Sequence, residues 1–453
     1  MDWKNKRVLV FGSGKSGVGA AGLLEKLGAR PVIFDSNEKL DGQSVLDQLG
    51  GRTELCLGSV PEELMDTLEM VVMSPGVPCD QPLVEEFRAR GIPVLGEVEL
   101  AFRLGKGTVL AITGTNGKTT STALLGEIMK AAFPEVYVVG NIGNPYTDVV
   151  LEQTERAVTV AEISSFQLET VETFHPRVSA ITNITEDHLN RHHTMEEYIR
   201  VKELIAKNQS GSDVCVLNYE DPVLRAFGET LSCRAVYFSS RRVLEQGIFL
   251  RDGEIVLRDG GEEIPIVRTE ELPLLGLHNY ENVMTAAAMA WYAGAPAETI
   301  RRVSCGFAGV EHRIEYVAEK RGVKYYNDSK GTNPDAAIKA VQAMVRPTVL
   351  IGGGYDKQST YGEWIDSFDG KVKYLVLIGA TKEKIAQEAA EHGFPEQKIL
   401  FCEDLKEAVR VCAAHAEPGD AVLLSPACAS WDQFRSYEER GDRFKAYVRE
   451  LPD

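Results

Sequence analysis

Short runs of β-branched and aliphatic residues that end in glycine turns and give way to helical stretches recur along the whole chain, and this alternation constrains its fold most. Parallel strands need a crossover to pair, and a helix is the usual one, so the pattern predicts doubly wound α/β layers throughout. A length of 453 residues exceeds what one core sustains, about 250–300 residues. Three regions are expected. Residues 1–97 carry "RVLVFGSG", "RPVIFDS", "MVVMSPGV" and "IPVLGEVE" and read as a small Rossmann-like sheet. Residues 98–309 run from "TVLAITGTNGKTT" through "VYVVGNIG", "AVTVAEISS", "VSAITNI" and "DVCVLN", then turn to an alternating stretch around Asp252-Gly253 that predicts an added β-hairpin. The helical composition of "NYENVMTAAAMAWYAG" follows. Residues 310–453 repeat the alternation with "VKYYNDS", "TVLIGGG", "YLVLIGA", "KILFCED" and "AVLLSPA", each but the last followed by a helix-like segment.

Two glycine loops carry the first chemistry. "GSGKSG", Gly12, Ser13, Gly14, Lys15, Ser16 and Gly17, follows a strand and fits both the dinucleotide fingerprint and, through its Gly-Lys-Ser, a phosphate loop. Asp35 ends the next strand near the spacing of a ribose-binding acid, which keeps an NAD-dependent oxidoreductase open. "GTNGKTT", Gly114, Thr115, Asn116, Gly117, Lys118, Thr119 and Thr120, joins a strand to a helix. Ile112 stands where the strict Walker spacing has glycine, yet the strand-loop-helix context still turns backbone N–H groups and a helix N-terminus toward a phosphate. Lys118 would meet terminal phosphates and Thr119 could offer its hydroxyl to Mg²⁺; a P-loop NTPase switch is therefore the second open reading. Strand-end polar residues accompany the loop: Glu162 after "AVTVA", Asp187 and His188 in "NITEDHLN", and Lys202 one helical turn after Tyr198. In the third region Asp328, Lys330, Thr332 and Asn333 crowd a strand end before a helix start at Pro334, while Lys357 in "GGGYDKQ" and Ser430 in "LLSPACASWDQF" end later strands.

Charge and cysteine usage narrow the partners. With 67 acidic against 49 basic residues the formal charge is −18, which disfavours a polyanion surface, so no nucleic-acid partner is expected. The eight cysteines show no Cys-x-x-Cys and no His-paired metal spacing, as suits reduced thiols of a cytoplasmic protein. Lys15 cuts short the first apolar run, and no apolar stretch approaches the roughly 18 residues of a membrane helix, so neither a signal peptide nor membrane insertion is expected.

"GTNGKTT", "EISSFQLE", "NITEDHLNRH", "GLHNYEN", "EHRIE", "NDSKGTN" and "LLSPACASWDQFRSYEERG" resemble, in this order, the ATP-dependent Mur ligases of peptidoglycan synthesis. The resemblance implies three domains: an N-terminal Rossmann-like domain for a UDP-sugar, a central P-loop ATPase-like domain, and a C-terminal Rossmann-like domain that closes over ATP and the incoming amino acid. Among members, "NDSKGTN" with "SPACASWDQF" is most similar to the one coupling D-glutamate to UDP-N-acetylmuramoyl-L-alanine, so those two compounds and ATP are the implied substrates, a monomer the implied state. The chemistry implied is phosphorylation of the L-alanine carboxylate to an acyl phosphate, attack by the D-glutamate amine, and collapse of a tetrahedral intermediate to amide and phosphate. Folylpolyglutamate synthetases share the glycine loop, but the N-terminal Rossmann unit and "SPACAS" speak against them.

By the same resemblance the catalytic residues are Lys118, His188, Lys202, Lys330 and Lys357. Two Mg²⁺ ions, with Mn²⁺ as a substitute, would use Thr119, Glu162, His188 and Lys202, the last as a carbamate. Asn279, Asn282, Arg313 and Asp328 match contacts to ATP. Asp35, Ser36, Ser74, Pro75 and Gly76 join the first glycine loop around the UDP-sugar, whose muramoyl-alanine end meets Asn141, Ser164 and His188. Lys330, Thr332, Lys357, Ser430, Trp431 and Tyr437 match positions around D-glutamate. Trp431 and Tyr437 stand where smaller side chains or Phe are usual, and Asn190 where Asp is.

Overall fold

The computed structural model describes residues 2–452. The chain forms two compact units, one built from residues up to Ile266 together with Glu281–Val303, the other from Val267–Tyr280 together with Ser304 onward.

The first unit holds two sheets. Strands β1 (Arg7–Phe11), β2 (Arg30–Asp35), β3 (Glu54–Leu57), β4 (Met70–Met73) and β5 (Val94–Gly96) lie in the order β3-β2-β1-β4-β5, every neighbouring pair parallel. Both faces are covered. Val8 and Val10 pack with Ala20, Leu24 and Ile33, whereas Leu9 and Phe11 pack with Val32, Phe34 and Phe87. Burial on both faces is why β1 reads as an unbroken apolar run. The winding reverses between β1 and β4, and the open end of such a switch point is where α/β sheets bind ligands. Gly12–Gly17 follows β1 there, and Ser74–Gly76 follows β4; the Ser74 N–H donates to Phe11 O at 2.9 Å.

The second sheet comprises β6 (Thr108–Thr113), β7 (Val136–Gly140), β8 (Val158–Glu162), β9 (Val178–Ile181), β10 (Val214–Asn218), β11 (Arg234–Ser239), β12 (Gly247–Arg251), β13 (Glu254–Asp259) and β14 (Glu262–Arg268), ordered β14-β13-β12-β11-β10-β9-β6-β8-β7. From β7 to β12 neighbours run parallel. β12 and β13 form the expected hairpin, closing at Arg251↔Glu254. Its two turn residues, Asp252 (φ 51°) and Gly253 (φ 77°), take the positive φ that a two-residue type I′ turn requires. β6 lies between β9 and β8, so the Gly114–Gly117 loop sits at this sheet's own switch point.

The second unit contains β15 (Glu315–Lys320), β16 (Val323–Asn327), β17 (Thr348–Gly352), β18 (Val372–Leu377), β19 (Ile399–Phe401) and β20 (Ala421–Leu424), ordered β15-β16-β20-β17-β18-β19. Only β15 runs antiparallel to its neighbour. Because β20 lies between β16 and β17, the loops after these three strands emerge side by side.

β3 and β15, which no motif announced, are sheet edges with partly exposed runs, so they lack the continuous apolar signature of buried strands. β11 is internal, and its "AVYF" carries the same apolar signal as its neighbours. β20, too, is followed by a helix, Tyr437–Arg449, after a loop; Ser436 caps it by accepting from the Glu439 N–H. Among the described residues no helix is long and apolar enough to cross a membrane.

The helix Glu97–Leu104 leaves β5 with two buried carboxylates. Glu99 accepts hydrogen bonds from the backbone N–H groups of Glu172, Thr173 and Phe174 and from the Thr173 hydroxyl. Glu97 receives long bonds from Thr147, 3.3 and 3.4 Å, on one oxygen, and its Oε2 has no partner. Burial outweighs those bonds and pushes its pKa from 4.5 up to about 7. The unfolded chain therefore ionises first, and stability falls as pH rises from 4.5 to about 7, then levels. The gap corresponds to about 3 kcal/mol. Glu97→Gln is expected to remove that fall and to unfold at higher urea concentration than the parent at pH 8, with near-equal midpoints at pH 4.5. Parallel losses in both proteins between those pH values would refute the assignment.

Candidate active site

In the first glycine loop the geometry demands glycine. Gly12 has φ 104°, and a Cβ on Gly17 would lie 1.9 Å from Gly12 O. The helix Lys15–Lys26 starts here with no side-chain cap, leaving first-turn N–H groups for a ligand. A cleft of about 450 Å³ opens above them. Of the residues assigned to the UDP-sugar, Gly12, Ser13, Gly14, Lys15, Ser16, Asp35, Ser74, Pro75, Gly76, Asn141 and Ser164 line it, joined by Phe166 and Gln167; Gly17, Ser36 and His188 do not. Lys15 donates to the Gly143 carbonyl. Asp35 Oδ2 accepts from the Ser13 N–H (3.1 Å) and hydroxyl (2.5 Å), and its Oδ1 from the Asn37 N–H (3.0 Å). Burial works against the carboxylate, but these bonds hold its pKa below the usual value. Asp35 thus braces the loop while lining the cleft.

The second loop is equally bound to glycine: a Cβ on Gly114 (φ 138°) would lie 2.0 Å from Thr182 Oγ1, and one on Gly117 (φ 84°) 2.2 Å from Asn282 Oδ1. Asn282 also accepts from the buried Ser121 hydroxyl at 3.3 Å, so it packs directly beneath the loop. Asn183 holds the loop from the other side, bonding the Thr115 and Asn116 N–H groups. Lys118 opens the helix Lys118–Ala132, with Thr119 and Thr120 in its first turn. Its Nζ donates to Gly114 O (2.8 Å) and Thr115 O (2.9 Å).

Lys202 Nζ reaches the same Gly114 carbonyl at 2.8 Å from the helix Met195–Glu203. Lys202 is 1% exposed. Burial, then the charge of Lys118, pushes its pKa from 10.5 down to about 7. Tyr198, unforeseen as a site residue, joins the loop to Lys202: its hydroxyl meets Thr115 Oγ1 at 3.1 Å and its ring centre lies 4.7 Å from Lys202 Nζ.

Glu162 ends β8, paired with Ile112 of β6. Its Oε1 accepts from Asn141 Nδ2 at 2.7 Å, while Oε2 is buried with no partner. A buried carboxylate oxygen without a donor is costly, and a cation would satisfy it. His188 (φ 53°) begins a short helix after β9, half exposed, with its ring 4.9 Å from that of Phe166. Among the described residues no three or more His, Cys, Asp or Glu gather in a metal cluster. The expected set of Thr119, Glu162, His188 and Lys202 instead spans the ends of three adjacent strands. Such a sparse set fits Mg²⁺, which keeps waters and substrate phosphates and takes only one or two carboxylates.

In the second unit three loops after β16, β17 and β20 carry the remaining candidates. Asp328 is 6% exposed; it accepts from the Ser425 hydroxyl (2.7 Å) and the Ile314 N–H (3.3 Å). Burial pushes its pKa up to about 7 against those bonds and the charges of Arg313 and Arg440. Lys330 Nζ lies 5.3 Å from the Tyr437 ring centre, and Lys357 Nζ 5.1 Å from that of Trp431. Trp431 stacks obliquely on Tyr355, both largely exposed, while Ser430 is buried. The Thr332 N–H donates to Lys330 O, and Asn333 caps the helix Pro334–Ala343 as its position before Pro334 suggests. Asn279, in the first turn of Leu277–Tyr292, donates to Leu275 O at 2.7 Å. His312 (φ 64°), which had no separate role in the sequence, bonds Asn327 Nδ2 at 3.0 Å and packs against Gly441.

Family models match nearly the whole chain: a Mur ligase MurD-like N-terminal domain over residues 6–96, the Mur ligase middle domain over 112–290, and the Mur ligase glutamate ligase domain over 312–428. The UDP-N-acetylmuramoylalanine--D-glutamate ligase of Lachnoclostridium phytofermentans is 53% identical over 455 residues, covering 100% of both chains. That of Clostridioides difficile is 44% identical over 454 residues, again covering 100% of both. Among solved structures, MurF from Acinetobacter baumannii superposes with TM-score 0.60 at 18% identity, covering 99% of this chain and 94% of its own. UDP-N-acetylmuramate-alanine ligase MurC from Thermotoga maritima gives 0.57 at 19%, covering 98% and 99%. At such identities these two attest the shared fold alone. The two glycine loops at their switch points, the three α/β sheets and the full-length relatives agree, and the chain belongs to the Mur ligase family.

Proposed function

We propose that this chain is the ATP-dependent amide ligase that joins D-glutamate to UDP-N-acetylmuramoyl-L-alanine, a step of peptidoglycan precursor synthesis. Full-length relatives with that name support the substrates. The observation that carries the chemistry is the pairing of Lys118 and Lys202 on one loop carbonyl, one strand away from the unpartnered oxygen of Glu162. Residues 1–97 hold the UDP-sugar, 98–309 hold ATP, and 310–453 receive D-glutamate. The eight free thiols and the nucleotide substrates support a cytoplasmic location, with the chain acting as a monomer.

Phosphorylating a carboxylate brings two anions together, so cations must act at short range. Lys118 exchanges its loop carbonyls for the terminal phosphates, while the loop and helix N–H groups grip the rest of the triphosphate. Thr119 and Glu162 would hold one Mg²⁺, and His188 and Lys202 the second; Mn²⁺ would suit the same sites. The bound ions supply neutralisation of the phosphate and carboxylate charge. An ammonium cannot ligate them. Lys202, its pKa lowered to about 7, would attack CO₂ through its neutral amine, lose one proton and become a carbamate whose oxygens can. Asn141 and Ser164 hold the muramoyl-alanine end, and Asn279, Asn282, Arg313 and Asp328 contact the nucleotide. Lys330, Lys357, Thr332 and Ser430 offer the cationic and hydroxyl donors that two glutamate carboxylates need, beside the rings of Trp431 and Tyr437.

With UDP-N-acetylmuramoyl-L-alanine, ATP and Mg²⁺, phosphate release is expected only when D-glutamate is added, and L-glutamate should leave it at background. Release independent of D-glutamate would overturn the reading in favour of a nucleotide switch.

A further inference from the structure

Arg440 is 1% exposed and lies in the first turn of the helix Tyr437–Arg449. A helix N-terminus is electropositive, so a cation is disfavoured there, and burial adds to that cost. No carboxylate hydrogen-bonds to it. All its donors go instead to two of the loops after the strands. Nε donates to Ser329 Oγ (3.0 Å) and Nη2 to Ser329 O (2.8 Å) and Cys428 O (3.1 Å), while Nη1 donates to Cys428 O (3.1 Å) and Ala429 O (3.3 Å). The Ser329 hydroxyl in turn donates to the Tyr437 carbonyl at 2.8 Å. The third loop closes on the same point: a Cβ on Gly354 would lie 2.3 Å from Ala429 O and 3.3 Å from Arg440 Nη1, and the Tyr355 N–H donates to Ala429 O at 2.9 Å.

We propose that Arg440 is a positioning residue for D-glutamate: its guanidinium ties together the loops that present Lys330 and Thr332, Lys357, and Ser430 and Trp431, and so sets the spacing of the groups that receive the two carboxylates. The planar fork is what the task needs, because five donors in fixed directions can bind carbonyls of several segments at once, whereas an ammonium has no such geometry. The fork is spent on carbonyl and hydroxyl acceptors, and the carboxylates of Asp432 and Asp328 act on its charge from farther away.

The inference rests on the proposed ligase reading, and the parent enzyme tests that reading separately through its D-glutamate-dependent phosphate release. Arg440→Lys and Ser329→Ala are compared with the parent by steady-state kinetics for each substrate and by thermal unfolding. Arg440→Lys is expected to raise KM for D-glutamate at least ten-fold while KM for ATP and for UDP-N-acetylmuramoyl-L-alanine changes less than two-fold. Ser329→Ala, which removes one acceptor and leaves the charge, is expected to raise the same KM about three-fold with the melting temperature within about 2 °C of the parent. If Arg440→Lys fails to fold, Ser329→Ala decides. An unchanged KM for D-glutamate in Ser329→Ala, or losses shared equally among the three substrates in either variant, would overturn the proposal.

Discussion

Lys118→Ala is expected to lower kcat/KM at least about 10³-fold while the protein still folds, since removing one charged group aimed at transition-state charge costs of that order. Lys118 sits at the N-terminus of its helix and donates to the loop carbonyls of Gly114 and Thr115, and the glycine loop is held as well by Asn183, Thr182 and Asn282. The loss should therefore appear in phosphate release and in ATP affinity, not in the unfolding midpoint. A second effect follows from the shared Gly114 carbonyl. Without the charge of Lys118, one of the two influences depressing the pKa of Lys202 disappears, so less of Lys202 is neutral and able to take up CO₂. A variant within ten-fold of the parent would show that Lys118 does not face the transferred phosphate.

Lys202→Ala should be nearly as damaging, about 10²-fold or more in kcat, with a feature that distinguishes it: partial recovery by a short carboxylic acid such as acetate. The side chain removed is long and buried, and its departure leaves a space in which a small carboxylate can supply the oxygens that the carbamate would. Lys202→Arg should not be rescued, because the guanidinium fills the space and stays charged. Carbon-13 bicarbonate should label the parent and not Lys202→Ala. Loss without acid rescue, together with no label in the parent, would leave Lys202 as an ordinary buried amine.

Much of the site was legible because phosphate chemistry imposes local rules. A loop that must bring backbone N–H groups close to a phosphate needs glycine where a Cβ would collide, and Gly17, Gly114 and Gly117 stand at such places. Glu162 was legible as a polar residue ending an apolar strand. Arg440, Ser329 and Tyr198 were not, since a buried arginine or tyrosine has the same residue type as a surface one, and its partners lie elsewhere in the chain: 111 residues separate Ser329 from Arg440. Asp35 has a second part that its spacing does not reveal. Its spacing suggested a ligand contact, but only the fold brings Ser13 within 2.5 Å of its carboxylate.

The layered α/β class, the two glycine loops and the hairpin at Asp252-Gly253 are legible in the residues alone, because strand burial, glycine conformation and turn chemistry act over a few neighbouring residues. Only the tertiary structure decided which strand ends are neighbours, since strand order is set by crossovers and not by proximity in the chain. It likewise decided how charges are tuned: burial and the charge of Lys118 bring Lys202 to about 7, and an oxygen of Glu162 is buried without a hydrogen-bond donor. Electrostatic energies depend on distance and on exclusion of water, and neither quantity is written in the order of residues.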